Sequence, residues 1–432
     1  MNTWPLGRSV RSFTVGAHLR EEGVRVRREV EEVIASVGET KKSIVYGTKR
    51  MMRPATRGIL ILLAVASNAW PLVEAGNPVP AFVTPAPMQV AGGPLFFHEE
   101  FINSDSSHPM SHVASVGELP DGRLAATWYA GSREGASDVA IYLSTRAPAE
   151  SAWSRPHAIV TRESASRDLN RYIKKVGNSV IFSDSKGGLW LIYVTVSVGG
   201  WSGSSLNLTM SADEGLTWTP SRRLTLSPFF NLSELVKNAP VALSDGGWAV
   251  PIYHELAGTF PEVLWLRDAT GDFRATKSRM SAGWYGYQPA LAPLNAHRAL
   301  ALLREDSSAK RLSIARTENA GETWSPPQPL DLPNPDAGLD ALQLRDGRLL
   351  LAFNDSTDGR DNLRLAMSAD EGRTWERVAT VAEEPGADFS YPFLMQTRDG
   401  QVHLVYTWHR KAIKHVAFNA AWLDERMNAS TR

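Results

Sequence analysis

The chain has 432 residues, 43% of them hydrophobic and 21% charged, enough for one large or two medium folded domains. Its 46 basic and 46 acidic residues cancel, so no net field recruits nucleic acid or an anionic membrane surface, and any anion site has to be a local cluster. The absence of cysteine removes disulfides, thiolate metal sites and cysteine nucleophiles together.

Residues 1–50 are polar and charged and read as an N-terminal extension, expected to be untranslated or disordered. Met51 or Met52 then opens a segment with the order of a secretory signal. A basic stretch to Arg57 is followed by the short apolar run 58–70, with Val73 and Ala75 at minus three and minus one of a cleavage point. The apolar run is shorter than the roughly 20 residues a bilayer span needs. The reading is a signal peptide over 51–75, a secreted or periplasmic protein and no stable membrane span. Residues 76–94, rich in Pro, Ala and Gly, read as a linker without a core of its own.

The rest is periodic. Three near copies occur: Ser211-Ala-Asp213-Glu-Gly215-Leu-Thr217-Trp218, Thr317-Glu-Asn319-Ala-Gly321-Glu-Thr323-Trp324 and Ser368-Ala-Asp370-Glu-Gly372-Arg-Thr374-Trp375. The first interval is about twice the second, so one unit has lost its copy; a faint one lies at 144–153. Asp or Asn can bond nearby backbone and glycine can take positive φ, which suits a tight turn, and the tryptophan is expected to pack between neighbouring units. In step with these run hairpin signals at Asp121-Gly122, 184–188, Asp245-Gly246, 295–297, Asp346-Gly347 and Asp399-Gly400, each leading into an apolar strand. Six turns at intervals of roughly 50 to 60 residues predict an all-β fold, a six-bladed β-propeller over 95–420, with a tail over 421–432. The strand 96–101 is expected to complete the last blade.

The Ser-x-Asp-x-Gly-x-Thr-Trp turn resembles the Asp-box of the sialidase-like, BNR-repeat propellers, and the likeness extends over about 96–418. The resemblance implies an exo-α-sialidase type of glycosidase: arginines clamp a substrate carboxylate, an aspartate is the acid/base, and a tyrosine paired with a glutamate is the nucleophile. A guanidinium matches a planar carboxylate, and a neutral phenol can attack an anomeric centre that already carries an anion. By motif position, Arg133 and Asp138 in the loop 131–138 fit an arginine near the glycosidic bond and the acid/base. Arg304 and Arg360, at matched places of successive blades, fit two carboxylate-binding arginines, and Tyr391 fits the nucleophile.

Two positions depart from the pattern. His112 stands where the first clamp arginine is expected, and Gln288 where the glutamate is; a glutamine cannot take a proton from a phenol. Glu255 and Glu305 are the candidate replacement carboxylates. Asp105, His108, Lys237, Asn238, His254, Asn334, Asp336 and Asp340 are expected near the axis, with Trp201 and Trp284 as sugar-stacking platforms. Histidines 403, 409 and 415 lack metal-site spacing, so neither a metal nor another cofactor is expected. The leading reading is a secreted, monomeric glycosidase of sialidase type acting on a glycan that ends in sialic acid or another acidic sugar. The alternatives are cleavage of a different acidic glycan by hydrolysis or elimination, with His112 as base, and a carbohydrate-binding propeller without catalysis.

Overall fold

The computed structural model describes residues 80–88, 93–103, 108–148, 150, 152–184, 186–227, 231–256, 258–269, 272–281 and 286–430. The chain divides into two units, Met1–Val65 and Ala66–Arg432, and all the elements given below belong to the second. The first unit, the signal segment read at 51–75, Asp105 and Trp284 all lie outside the described residues.

The fold is all-β, six sheets in cyclic order. After β1 (Phe97–Phe101), blade 1 holds β2 (Met110–Glu118), β3 (Leu124–Gly131), β4 (Ala140–Arg146) and β5 (His157–Val160). A short helix α1 (Arg162–Asp168) leads to blade 2, made of β6 (Lys175–Ser183), β7 (Leu189–Val196), β8 (Ser204–Ser211) and β9 (Arg222–Arg223). In blade 3 the innermost strand is split: β10 (Leu235–Val236) and β11 (Val241–Ala242) both pair with β12 (Trp248–His254), which is followed by β13 (Phe260–Ala269) and β14 (Asp272–Arg279). Blade 4 holds β15 (Tyr287–Pro293), β16 (Ala299–Arg304), β17 (Arg311–Thr317) and β18 (Gln328–Pro333), and blade 5 holds β19 (Asp340–Gln343), β20 (Leu349–Phe353), β21 (Asn362–Ser368) and β22 (Glu376–Glu383). Blade 6 runs β23 (Phe389–Gln396), β24 (Val402–Trp408) and β25 (Ala412–Phe418), and β1 supplies its outer strand, antiparallel to β25. This is the expected ring closure, in which the first strand is the last blade's edge.

Second strands such as β3, β7 and β20 are buried along their whole length, because neighbouring blades cover both faces, and they read as continuous apolar runs. The edge strand β1 instead alternates between exposed and half-buried residues. Its Glu100 fastens the ring, accepting from His415 of blade 6 (3.0 Å) and Trp153 of blade 1 (3.0 Å) and pairing with Arg146 of blade 1 (2.8 Å).

The repeat turns behave as local chemistry dictates. In blade 5, Ser368 Oγ accepts from Gly372 N–H (2.8 Å) and Asp370 accepts from the backbone and hydroxyl of Thr374 (2.9 and 2.7 Å). Blade 2 repeats this with Ser211, Asp213 and Thr217, and blade 4 with Thr317, Asn319 and Thr323. Trp218 and Trp324 each donate to the carbonyl of their own turn glycine at 3.1 Å. The repeat tryptophans pack with residues of two adjacent blades, as expected. The missing copy belongs to blade 3, where β13 and β14 form a simple hairpin.

Two terminal readings change. The residues after 420 form a helix, α2 (Ala420–Ser430), with Trp422 and Leu423 buried in the blade 5–6 cluster; the apolar pair makes a free tail unfavourable. Of the presumed linker, residues 80–88 lie against the propeller: Phe82 is buried between blades 3 and 4 and bridges Leu243, and Met88 N–H donates to Arg345 O.

Candidate active site

Every blade places its Asp-box or hairpin end, and its first-to-second strand turn, at one face of the ring. The start of each inner strand and the connection from second to third strand therefore meet at the opposite face. The second-to-third connections carry, in blade order, Glu134, Trp201, Glu255, Arg304 at the end of β16, Arg360 and Arg410. The inner strands add His112, Asn178, Gln288 and Tyr391, each at or beside a register shift and with a non-glycine residue at positive φ: Val113 (48°), Asn178 (22°), Gln288 (50°) and Tyr391 (54°). Such a conformation costs of order 1–3 kcal/mol and is held only when the surroundings over-determine it. Its effect is to turn side chains that would point along a blade face toward the axis.

The structure brings Arg304, Arg360, Gln288, His112 and Tyr391 together. Arg304 is buried, donates to Asp336 (2.7 Å) and Gln288 Oε1 (3.0 Å), and lies over the Tyr287 ring (4.7 Å). Burial alone would lower its pKa, but Tyr391, Tyr287 and Asp336 outweigh that and raise it. Arg360 donates to Asp336 O (3.0 Å) and stands 5.5 Å from the centre of the Tyr391 ring. Gly338 makes room for this group: a Cβ there would lie 3.0 Å from the Tyr391 ring and 3.2 Å from Gln288 Oε1. Both ends of the Gln288 amide are engaged, its Nε2 donating to Tyr253 OH (3.0 Å) and its Oε1 accepting from Arg304.

His112 is 1% exposed, with Nδ1 bonded to Thr407 (3.0 Å) and its ring edge-on to Tyr391 (4.9 Å between centroids). Burial, then the charge of Arg410, pulls its pKa down to about 3 against the opposing pull of Asp388, so at neutral pH it carries no charge. The cation beside it is Arg410, which bonds Asp388 (3.0 Å) and Glu134 (2.9 Å). Arginines and carboxylates thus alternate around the site as Arg304, Asp336, Arg360, Asp388, Arg410 and Glu134. Asp388 is held below the usual carboxylate range: burial raises it, but the Ser390 hydroxyl, Arg410 and Arg360 more than offset that.

Glu255, in the blade 3 connection, is pushed up by burial, partly relieved by Arg304 and reinforced by Asp336 and Asp306. Its carboxyl therefore holds a proton more readily than an ordinary glutamate does. Glu305, half-buried beyond the end of β16, accepts from Ser307 (3.0 Å). Asp138 and Arg133 are exposed. Both Asp138 oxygens accept from Ser132, and that hydroxyl and N–H lower its pKa. The carboxylate of this loop that faces the other site residues is Glu134, bonded to Arg410 and to Trp201 Nε1 (3.2 Å). Trp201 also lies under the Lys175 ammonium (3.6 Å).

Lys237, Asn238 and Asp340 do not line this face; all three are buried beneath it. His254, Glu234 and Glu262 offer ligand atoms within 4.8 Å of one another, but the Lys277 ammonium bonds both carboxylates (2.6 and 3.1 Å). Among the described residues no helix is long and apolar enough to cross a membrane.

Residues 122–404 match the family model of the BNR repeat-like domain. The chain belongs to the BNR repeat-like family. No curated protein sequence matches it. Among solved structures, it resembles the Hadza microbial sialidase Hz136, with TM-score 0.60 and 16% identity over 72% of this chain and 66% of that one. The intramolecular trans-sialidase from Ruminococcus gnavus gives 0.57 and 14% over 75% and 97%. A protein of unknown function from Dyadobacter fermentans gives 0.61 and 13% over 74% and 97%. Identities this low establish a shared sialidase-like fold for this BNR repeat-like protein; function has to come from its own residues.

Proposed function

We propose that this BNR repeat-like protein is an exported glycosidase of sialidase type that removes a terminal acidic sugar. The observation that carries the reading is the Tyr391 ring, turned to the axis by a positive-φ bulge and flanked by Arg360 and Arg304. Arg304, Arg360 and Arg410 hold the sugar's carboxylate, with Arg410 supplying the cation that neutral His112 does not. Tyr391 attacks or stabilises the anomeric carbon, and Glu255 is the carboxyl available to take up its proton. Loop 131–138 supplies the acid. Asp138 stands in the family's place for it but must release Ser132 to act, whereas Glu134 already faces the arginines. Export rests on the sequence pattern at 51–75.

The test is turnover of fluorogenic aryl α-glycosides of sialic acid and of a uronic acid, with the anomer of the released sugar followed by NMR. Retention of configuration is expected, and Tyr391→Phe should remove most turnover. Comparing Asp138→Ala with Glu134→Gln identifies the acid. Wild-type rates in Tyr391→Phe and in both acid variants would sink the assignment, and glycan affinity without turnover would make this a binding propeller.

One observation favours a second reading, elimination. His112 is neutral and edge-on to Tyr391, and Gln288 stands where a carboxylate would serve hydrolysis. His112 would take the proton next to a uronate carboxylate and the Tyr391 hydroxyl would give one to the departing glycosidic oxygen, the electron pair of the broken C–H bond forming the double bond as the C–O bond breaks. An unsaturated, ultraviolet-absorbing product separates the two chemistries.

A further inference from the structure

Lys237 is an ammonium 2% exposed, on the broken inner strand of blade 3. Burying such a charge is costly unless its donors are met, and here all three are. They go to Asn238 Oδ1 (2.6 Å), Leu339 O (2.6 Å) and Pro392 O. The last two acceptors decide what the residue does. Pro392 directly follows Tyr391, and Leu339 directly follows Gly338, the residue against which the Tyr391 ring and the Gln288 amide rest. The neighbouring Asn238 donates to the carbonyls of Gln288 (3.3 Å) and Pro289 (2.9 Å), at the bulge of blade 4. One dipeptide of blade 3 thus holds the backbone at the bulges of blades 4 and 6 and at the residue just before β19 of blade 5. Asp340, 3% exposed, is the nearby countercharge and itself accepts from Leu394 (2.7 Å) and Ala341 (2.9 Å).

We infer that Lys237, assisted by Asn238, is a positioning residue that fixes the Tyr391 turn from below by binding the Pro392 and Leu339 carbonyls. A local strand has no reason of its own to keep Tyr391 at positive φ, and a three-way ammonium contact supplies that reason without touching substrate. That the turn is held so rigidly for catalysis rests on the role proposed for Tyr391; that Lys237 holds it does not.

The experiment separates the two. With 3-fluorotyrosine at position 391, the fluorine spectrum of the full chain is expected to show one narrow resonance. Lys237→Met/Asp340→Asn, which removes both buried charges together, should split or broaden it as the turn samples other conformations. A single unchanged resonance overturns the inference, whatever the substrate. Should the double variant fail to fold, Asn238→Ala, which frees the Gln288 and Pro289 carbonyls and removes one of the three acceptors of Lys237, is read by the same resonance with the same outcomes. In the kinetic arm, kcat should fall on the order of 10- to 100-fold with little change in KM, since a 1 Å misplacement costs that much. A changed resonance alongside full turnover of Tyr391→Phe would leave the positioning role standing and remove the catalytic one.

Discussion

Blade 5 ends at one face in a turn where Ser368, Asp370 and Gly372 satisfy one another, and its two successive positive-φ residues, Glu371 (60°) and Gly372 (74°), are held by bonds made within the turn itself. At the opposite face, Gln288 and Tyr391 take positive φ with large side chains and are kept there by partners from other blades. The first arrangement would form in almost any blade with that sequence, whereas the second exists only once the ring has closed. Strain that is stabilised from elsewhere concentrates where function is, and the turns that obey local rules are left to hold the fold.

The sharpest way to break this comparison is at Tyr391. Tyr391→Phe keeps the ring, its contact with His112 and its place on Gly338, so the melting temperature should stay within about 2 °C while turnover drops on the order of 10³-fold. A variant that loses stability instead of turnover would put the axial bulges in the same class as the rim.

The two faces also differ in how far they are legible in sequence. Ser211, Asp213, Gly215 and Thr217 lie within seven residues and bond one another, so the run displays its own structure, and the blades and ring closure follow from its period. Arg304, Arg360 and Tyr391 are legible through family spacing, which is position without geometry. Arg410 and Glu134 leave no local signal, because their partners lie in blades distant in sequence and each looks like a surface charge, while Lys237 is legible as a residue near the axis but not as one buried under carbonyls of blades 5 and 6. The positive φ of Gln288 and Tyr391 is hidden for the same reason: both sit in apolar runs that read as plain strand.

A second test uses protons. His112 at the axis and His403 inside blade 6 are both buried and held down to about 3, by desolvation first and then by Arg410 and by His415 respectively. Their ordinary value is 6.5, so below that pH the unfolded chain binds protons the folded chain refuses. Stability should be fully present above pH 6.5 and fall as pH drops toward 3, by about 1.4 kcal/mol per unit and histidine. His403→Gln should flatten this slope and leave the pH profile of turnover unchanged, whereas His112→Gln should alter both. Equal effects on the turnover profile would erase the distinction between blade interior and axis. Urea unfolding between pH 5 and 7 is the measurement.

Ring closure is non-local yet structural, and Glu100 isolates it. Glu100→Ala leaves His415, Trp153 and Arg146 without their shared acceptor, and should cost about 2–3 kcal/mol with turnover of the folded fraction unaffected.

The smallest effect is expected at the rim itself. Ser368→Ala removes an acceptor from the buried Gly372 N–H and a donor to Asp370, while Asp370 keeps Thr374 and the glycine keeps its φ. Leaving one buried donor unmet costs about 1–2 kcal/mol, read as a lower unfolding midpoint at unchanged slope. Because the turn lies at the far face from Tyr391 and Arg304, kcat and KM should not move. If Ser368→Ala lowered kcat in the folded protein, strain at the axis would have to be fed through the blade from its Asp-box, and the two faces would no longer be separable.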